Sequence, residues 1–340
     1  MPFLLVVAAL TTAVLTATLT VPAKAAGLPQ ELAARPSATP LVTKTITLTA
    51  PSALNTTWKR IQKIGFGAAA SKLGTSPAGE GLILGPSYGV QVPNRTWWYA
   101  DAAKLRLAHY GDTGAYLGQV KLPGKYLHLG YFQWQNPVAL KDGSVVLTST
   151  TIDSPALLRL SASGKLSRTA LSRFVNVHST DGIYLYGFDD AGKKVRVAPV
   201  SGKITAVTWF RGQGGRKFQL SVNDGYLRVL RPEVNLRLDL KASGLADETA
   251  HPSVQAVMSA NGRLWVLIVG FVELTPDTNQ TVAGLISVSA SGAVSAGQPV
   301  RDPTGPADPG DGHNLGIRYG GTHPTMMFID PGAVRVHRKR

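Results

Sequence analysis

The chain has 340 residues, and none of them is cysteine. This absence excludes a disulfide framework, a thiol nucleophile, a cysteine-ligated metal and a lipidated N-terminal cysteine. No G-x-S-x-G nucleophile turn stands between a predicted strand and a helix, and the acidic stretch 302–313 lacks the ligand spacing of an EF-hand loop. No constellation of reactive residues therefore identifies a substrate.

Acidic residues are scarce, with 20 Asp and Glu against 35 Lys and Arg, and the formal net charge is +15. An excess of this size favours anionic partners. The motifs of known nucleic-acid readers are absent, so we expect no nucleic-acid partner.

Glycine and proline, by contrast, are abundant, with 36 and 22 residues. Together with a hydrophobic content of 44%, they are typical of short strands that are joined by tight turns around a continuous core. No long amphipathic helix is needed to explain the pattern. The composition predicts an all-β protein.

One sequence pattern occurs twice, once near each end of the chain. Residues 96–107 read Thr, three large apolar residues, one more apolar residue, Asp, a turn and an apolar-Arg-apolar strand, and residues 325–336 repeat this order. The aspartates, Asp101 and Asp330, are 229 residues apart (330 − 101), which is five repeats of roughly 46, a period typical of propeller blades. This spacing predicts six blades. We interpret both aspartates as structural residues of Asx turns.

Two series of turns support the period. The first is predicted to be the first hairpin of each blade, where Gly or Asn supplies the positive φ of a primed turn. Its members are Asn94, Asp142-Gly143, Asp181-Gly182, Asp224-Gly225, Asn261-Gly262 and Gly320-Gly321. The second series comprises Thr113-Gly114, Ser163-Gly164, Ser201-Gly202, Ser243-Gly244 and Ser291-Gly292. Because the second series has one member fewer, the last blade is predicted to lack its outer strand.

The missing strand is predicted to come from the N-terminal part of the chain. Residues 43–49 alternate β-branched polar and apolar side chains and belong to no hairpin of their own. Their pairing with the final blade would close the ring without an open edge. The predicted fold over residues 45–340 is an all-β, six-bladed β-propeller closed by an N-terminal strand that completes the last blade. A two-sheet sandwich is the alternative.

Residues 85–123 resemble an NHL repeat. The pattern reads G-P-x-x-G-V-x-V from Gly85 and W-Y-A-D-x-x-K-x-R-L-x-x-Y from Trp98, followed by Gly114 and Leu117. Lys104 stands where the family usually has Asn. The resemblance implies a six-bladed propeller of the TolB-like superfamily, whose members include protein- and glycan-binding modules, metal-dependent lactonases and lyases. It implies a fold and no single activity.

The N-terminal residues have a different composition from the rest. Residues 1–25 carry no charge before Lys24 and end in Ala23-Lys24-Ala25, which fits the small-x-small cleavage rule of a signal peptide. Retention of this segment as an anchor is the alternative, because no basic residue precedes the apolar run. Residues 26–44, with three prolines, are predicted to be a flexible lead. The protein is expected to be secreted by a bacterial cell, monomeric, and without a transmembrane segment after cleavage.

Connections between blades are predicted to surround the mouth of the axial channel, which is the default pocket of such a ring. These connections carry six candidate binding residues near the starts of inner strands: His128, Arg173, Arg211, Arg216, His251 and His313. The mouth is therefore expected to be positively charged. Its histidines come from separate blades with no second ligand three to five residues away, so no metal or cofactor is predicted.

Residues 52–84 depart furthest from the blade pattern. They are expected to be either a lid or binding loop on the pocket face, or a linker that leads into the first blade.

The predicted function is that of a secreted binding module. Its partner would be an anionic polymer of the cell envelope or an extracellular protein, held by charge-assisted hydrogen bonds from Arg and His and by apolar contact with aromatic side chains. The alternative is an enzyme, a lactonase-like metal-dependent hydrolase or lyase with a divalent ion in the axial channel. Four asparagines are candidates for its ligands: Asn136, Asn176, Asn223 and Asn314.

Overall fold

The computed structural model describes residues 39–48, 57–77, 83–84, 88–128, 132–223, 225–241, 253–275, 278–298, 314–330 and 332–340. Thr39–Arg340 form one compact unit. Six sheets, each with four antiparallel strands, are arranged as the blades of a ring. The predicted all-β, six-bladed propeller is confirmed. Among the described residues, no helix is long and apolar enough to cross a membrane.

The chain passes through the blades in order. Four strands precede the first blade: β1 (Leu41–Thr45), β2 (Trp58–Gly65), β3 (Ser76–Pro77) and β4 (Ile83–Leu84). Blade 1 comprises β5 (Tyr88–Gln91), β6 (Trp97–Asp101), β7 (Arg106–Tyr110) and β8 (Tyr116–Lys121). Blade 2 comprises β9 (Trp134–Ala139), β10 (Val145–Ser149), β11 (Ala156–Leu160) and β12 (Leu166–Ala170). Blade 3 comprises β13 (Val175–Thr180), β14 (Leu185–Asp189), β15 (Lys194–Val197) and β16 (Ile204–Ala206).

The second half of the ring repeats this plan. Blade 4 comprises β17 (Phe210–Arg211), β18 (Lys217–Asn223), β19 (Tyr226–Arg231) and β20 (Val234–Asp239). Blade 5 comprises β21 (Ser253–Met258), β22 (Leu264–Thr275), β23 (Thr278–Val288) and β24 (Val294–Gln298). Blade 6 comprises β25 (Asn314–Gly316), β26 (Thr325–Asp330) and β27 (Ala333–Lys339), to which β2 is added.

The core lies between neighbouring blades. Every residue of β10 is buried, because this strand has a neighbouring blade on each side. Its alternate side chains point to opposite faces of the sheet, so that Leu147 packs with Leu107 of blade 1 and Val146 packs with Leu185 of blade 3. The hydrophobic content is therefore distributed around the ring.

An N-terminal strand completes the last blade, as predicted, but that strand is β2. It pairs antiparallel with β27 from Trp58 opposite Lys339 to Gly65 opposite Ala333. The assignment of the closing role to residues 43–49 was wrong, because β1 pairs parallel with β20 and forms a fifth strand on blade 4. Leu48, just beyond β1, is buried in the core between blades 4 and 5.

Blade 4 departs from the predicted turn series. Its first hairpin spans residues 212–216, between β17 and β18, and Gly214 and Gly215 have φ of 70° there. Gly225 lies one turn later, between β18 and β19, so its assignment to the first hairpin was wrong; Asp224 lies outside the described residues. Pro232 and Glu233 form the turn between β19 and β20. Ser243-Gly244 lies outside the described residues.

The segment 66–74 is fastened to blade 1. Lys104 Nζ donates to the backbone carbonyls of Ala69 at 2.7 Å and Lys72 at 2.8 Å. Burial lowers the pKa of Lys104, and the nearby charge of Arg106 lowers it further. Residues 58–65 are the closing strand, and no described residue of 57–77 lines the axial cavity introduced below. The described part of the predicted lid or linker therefore belongs to the wall of the ring.

Asp101 is not an Asx-turn residue. Its side chain is fully buried and forms an ion pair with Arg106, with Nε and Oδ2 separated by 2.7 Å. The other carboxylate oxygen accepts a hydrogen bond from the backbone N–H of Gly74 at 3.0 Å. The repeated aspartate of blade 1 is structural, but it acts through a buried ion pair. The side chain of Asp330 lies outside the described residues.

Asp112 connects blade 1 to the last strand of the ring. Its Oδ1 accepts hydrogen bonds from Arg338 Nη2 at 2.8 Å and Gln91 Nε2 at 2.7 Å. Arg95 lies 3.0 Å from Oδ2. Partial burial acts to raise the pKa of Asp112, but the hydrogen bond and charge of Arg338, with smaller contributions from Trp97 and Arg95, hold it below the ordinary value.

We expect Asp112→Asn to reduce the free energy of unfolding at neutral pH by about 1 kcal/mol. The folded pKa is below the unfolded value of 3.8, so the stabilisation is present above that pH and is lost as pH falls through the folded pKa. The difference between wild type and variant, measured by urea unfolding at a series of pH values, should therefore shrink in acid. Exposed Asp153→Asn is the control. A pH-independent difference would show that ionised Asp112 contributes nothing.

Candidate functional site

An axial cavity of about 280 Å³ lies where the inner strands converge. Its polar lining residues are Asn136, Asn176, His178, Ser179, Thr180, Gln213, Gln255 and Tyr319. Its walls are otherwise largely apolar, with valines from four blades, including Val90 and Val254. No lining residue in the described part of the chain is Asp, Glu, Lys or Arg.

Strand β13 supplies the densest group of polar side chains. Val175 and Val177 are buried on the side of blade 2, so alternation places Asn176 and His178 on the opposite face of the strand. The His178 ring lies 5.3 Å from Phe188 and 6.3 Å from Phe210, measured between centroids. Desolvation lowers the pKa of His178 below its ordinary value of 6.5. A neutral imidazole with an exposed edge therefore faces the cavity at pH 7.

Asn136 on β9 has an unusual backbone conformation. Its φ is 51°, in the left-handed region, and it precedes Pro137, which normally restricts the residue before it to extended backbone. Local strain of this kind is concentrated at functional sites. Asn136 places its carboxamide at the cavity wall.

Two side chains connect blades at the hairpin end of the cavity, which is the end formed by the first hairpins of the blades. Gln213 of blade 4 donates to the carbonyl of Arg318 at 2.7 Å and accepts from the N–H of Gly320 at 2.7 Å, both in blade 6. The Tyr319 ring lies against Gly182 of blade 3, so closely that a Cβ at Gly182 would overlap it. These contacts narrow this end of the axial cavity.

A second feature is a group of cations on the outer part of blade 4. Arg228 and Arg237 are directly opposite on β19 and β20. Arg237 lies over the Tyr226 ring at 4.5 Å and Lys241 lies over it at 4.7 Å. Arg228 donates to the Asn235 side chain at 3.3 Å. Among the described residues, none of these three cations has a carboxylate partner.

Blade 3 faces this group with two more cations. Arg196 on β15 lies 4.4 Å from the Tyr184 ring centroid. Lys194 Nζ donates to Gln219 Oε1 of β18 at 3.3 Å, which places the two strand faces in one inter-blade space. Burial lowers the pKa of Lys194. We define the blade 3/4 cleft by Tyr184, Lys194, Arg196, Tyr226, Arg228, Arg237 and Lys241.

Comparison with known proteins places this ring in a family. A family model described as a domain of unknown function (DUF7485) matches residues 56–339. The chain belongs to the DUF7485 family. No curated protein matches its sequence.

Solved structures resemble the DUF7485 chain at low identity. Virginiamycin B lyase from Staphylococcus aureus is 8% identical, with 82% of this chain and 99% of that chain covered and a TM-score of 0.43. Regucalcin, a calcium-binding protein from Agrobacterium tumefaciens, is 12% identical, with 88% and 97% covered and a TM-score of 0.42. A Bacteroides fragilis protein described as exported is 8% identical, with 88% and 100% covered and a TM-score of 0.46. Similarities this distant carry no argument about activity.

The four candidate residues that the structure describes are dispersed in the DUF7485 ring. Arg173, before β13, forms an ion pair with Asp189 at 2.9 Å, and His128 is exposed before β9. Arg211 and Arg216 flank the first hairpin of blade 4, which lies at the opposite end of the inner strands. His251 and His313 lie outside the described residues. None of the four described residues lines the cavity, and a binding role for the set stays a prediction.

The polar groups of the cavity do not form a set that suits a divalent ion. Asn136 and Asn176 line it, whereas the side chains of Asn223 and Asn314 lie outside the described residues. Hard divalent ions prefer carboxylate oxygens, and the described lining supplies none. The described residues also contain no group of three His, Cys, Asp or Glu that would hold a metal.

Six polar lining residues were missed by sequence reasoning: His178, Ser179, Thr180, Gln213, Gln255 and Tyr319. The search for candidates concentrated on connections between blades, whereas these residues lie within or just after inner strands. A signal for His178 was present, because V-N-V-H alternates apolar and polar residues immediately before the Asp181-Gly182 turn.

Proposed function

We propose that this DUF7485 protein is a secreted binding module that attaches to an anionic polymer of the bacterial cell envelope through the blade 3/4 cleft. The observation that carries the proposal is a group of five cations, three of which lie over two tyrosine rings, and none of which forms an ion pair with a carboxylate among the described residues. Secretion rests on the signal-peptide pattern of residues 1–25.

The cross-strand pair Arg228 and Arg237 is the strongest indication of a bound anion. Like charges directly opposite on neighbouring strands destabilise a sheet. Nε of Arg237 is buried and has no acceptor in the described part of the chain. A phosphate or carboxylate between the two guanidinium groups would accept charge-assisted hydrogen bonds and offset their repulsion. The repeated acidic groups of a polymer would contact several cations of the cleft at once.

The tyrosines give the cleft an apolar surface beside its charges. Tyr184 and Tyr226 are half-buried, each with a cation over its ring. Each ring holds its cation by a cation–π contact. The cleft thus suits a linear polyanion whose uncharged segments lie against the tyrosine rings.

Binding of a defined linear poly(glycerol phosphate) tests the proposal. Isothermal titration at about 0.05 and 0.5 M salt should show binding that weakens as salt screens the charges. The triple variant Arg228→Gln, Arg237→Gln, Lys241→Gln should bind at least about tenfold more weakly than wild type at low salt. The control triple Lys121→Gln, Lys141→Gln, Lys165→Gln removes the same charge from exposed positions of blades 1 and 2.

The outcomes distinguish binding at the cleft from attraction by the overall net charge of the protein. Equal weakening in both triple variants would assign binding to the net charge and overturn the role of the cleft. No binding of wild type at low salt would overturn the polymer as partner and leave an extracellular protein as the ligand to be sought. Unchanged melting temperatures would show that the variants remain folded.

A further inference from the structure

We propose that the axial cavity binds one small, uncharged ring rich in hydroxyl groups, of the size of a single sugar unit. This site is distinct from the blade 3/4 cleft and does not rest on the proposed function.

The volume of the cavity limits the ligand to one small ring. Ligand pockets usually enclose about 300–1,000 Å³, and this cavity, at about 280 Å³, is near the lower limit. Tyr319 and Gln213 narrow the hairpin end, so a polymer cannot thread through the ring. A single unit fits, with the Tyr319 side chain at the narrowed end of the site.

The lining residues disfavour a charged ligand. A carboxylate or phosphate would meet no lysine or arginine among the described lining residues, and an ammonium group would meet no carboxylate. Burying such a charge without a partner is costly. The cavity therefore favours a neutral ligand.

The amide groups of Asn136 and Asn176 and the imidazole of His178 would form the hydrogen bonds to the ligand. Each carboxamide of Asn136 and Asn176 both donates and accepts, which suits two adjacent hydroxyl groups. Neither side chain has a hydrogen-bond partner in the part of the chain that the structure describes. Neutral His178 adds one donor and one acceptor, because desolvation lowers its pKa. These groups are available for a ligand that carries several hydroxyl groups.

Ser179 gives an independent indication of an occupant. Its hydroxyl is buried and lacks a partner in the described structure, which in folded proteins often signals an absent water or ligand. Ser179 lines the cavity beside His178, at the register shift of β13. Because this hydroxyl has almost no accessible surface, a ligand hydroxyl would satisfy it only after the Ser179 side chain rotates toward the cavity.

Saturation-transfer NMR with four neutral sugars tests the proposal: glucose, galactose, mannose and N-acetylglucosamine, each at about 20 mM to detect millimolar affinity. At least one should bind. Glucuronate and glucosamine, which add a carboxylate or an ammonium group to the same ring, should bind at least about tenfold more weakly than glucose or not at all.

Two variants assign the binding to the cavity. Asn176→Leu and His178→Phe keep side-chain size and remove hydrogen-bonding groups, and each should abolish or weaken the sugar signal at least about tenfold. The cleft triple variant is the control and should bind sugar like wild type, while Asn176→Leu should keep polymer binding. If Asn176→Leu has a melting temperature well below that of wild type, His178→Phe alone is used to assign the binding.

Three results would overturn the proposal. They are no signal from any neutral sugar, equal signals from the charged analogues, and sugar binding retained in folded cavity variants. Failure here with polymer binding intact would leave the proposed function standing.

Discussion

Arg106→Met is expected to destabilise the protein by about 3–5 kcal/mol, because it leaves a buried carboxylate without its cation. Asp101 is fully buried and Arg106 is 2% exposed. The same guanidinium donates to the Gln119 side chain and to the backbone carbonyls of Ala70 and Lys72. The substitution would therefore also remove two of the hydrogen bonds that hold the segment 66–74 to blade 1. Urea unfolding followed by tryptophan fluorescence measures the loss.

A matched control exists on the third strand of the next blade. Arg159 forms an ion pair with Asp142 at 2.7 Å, but the two side chains are 24% and 49% exposed. Arg159→Met should cost about 1 kcal/mol or less by loss of that pair. The double variant Asp101→Asn, Arg106→Met should be more stable than Arg106→Met, since the unpaired charge is gone. Equal losses for Arg106→Met and Arg159→Met would contradict the argument from burial.

Deletion of residues 1–65 is expected to abolish cooperative folding. It removes β2, leaves the outer edge of β27 unpaired, and takes away Trp58 and Ile64, which are 7% and 3% exposed. Burial of each such side chain contributes about 1.5–3 kcal/mol, and the lost strand pairing adds to this, against a typical total stability of about 5–15 kcal/mol. Gln62 would also be lost, with its hydrogen bonds to Tyr99 and to the Gly111 carbonyl in blade 1.

Deletion of residues 1–55 isolates the contribution of β2. This variant keeps β2 and loses β1 with Ile46 and Leu48, so we expect a lower melting temperature but one cooperative transition. Circular dichroism melts and gel filtration of both deletion variants provide the comparison. A cooperative melt of the longer deletion would show that the ring closes without β2.

The ring and its closure were accessible from sequence, but the identity of the closing strand was not. Residues 43–49 have the cleaner alternation, whereas β2 reads W-K-R-I-Q-K-I-G with a register shift between Arg60 and Gln62. A shift of one residue breaks the period of two that marks a strand. The exposed Lys59 and Lys63 on this outer strand further resemble a surface loop.

The first hairpin of blade 4 was predicted wrongly because the inner strand of this blade is short. β17 has two residues, too few to show any alternation, so the Asp224-Gly225 turn stood out as the next hairpin signal. Backbone geometry at Gly214 and Gly215 decides the true turn, and only the folded chain reveals it. The error moved one assignment by one strand and left the number of blades unchanged.

The cavity was the least predictable feature. Its location follows from the ring, and Asn136 and Asn176 stood among the sequence candidates. Tyr319 and Gln213, however, act between blades that are far apart in sequence, and no local pattern encodes that approach. The cleft likewise depends on the register that sets Arg228 opposite Arg237.

The pairing of β2 with β27 also imposes an order on assembly. β2 precedes blade 1 in the chain, and its partner β27 is made only after all the other blades. Until then the strand has no place in the fold, and contacts between such distant segments form slowly. Blade 1 can form locally, whereas blade 6 waits for both ends of the sequence. The ring can therefore close only after its last strand has been made.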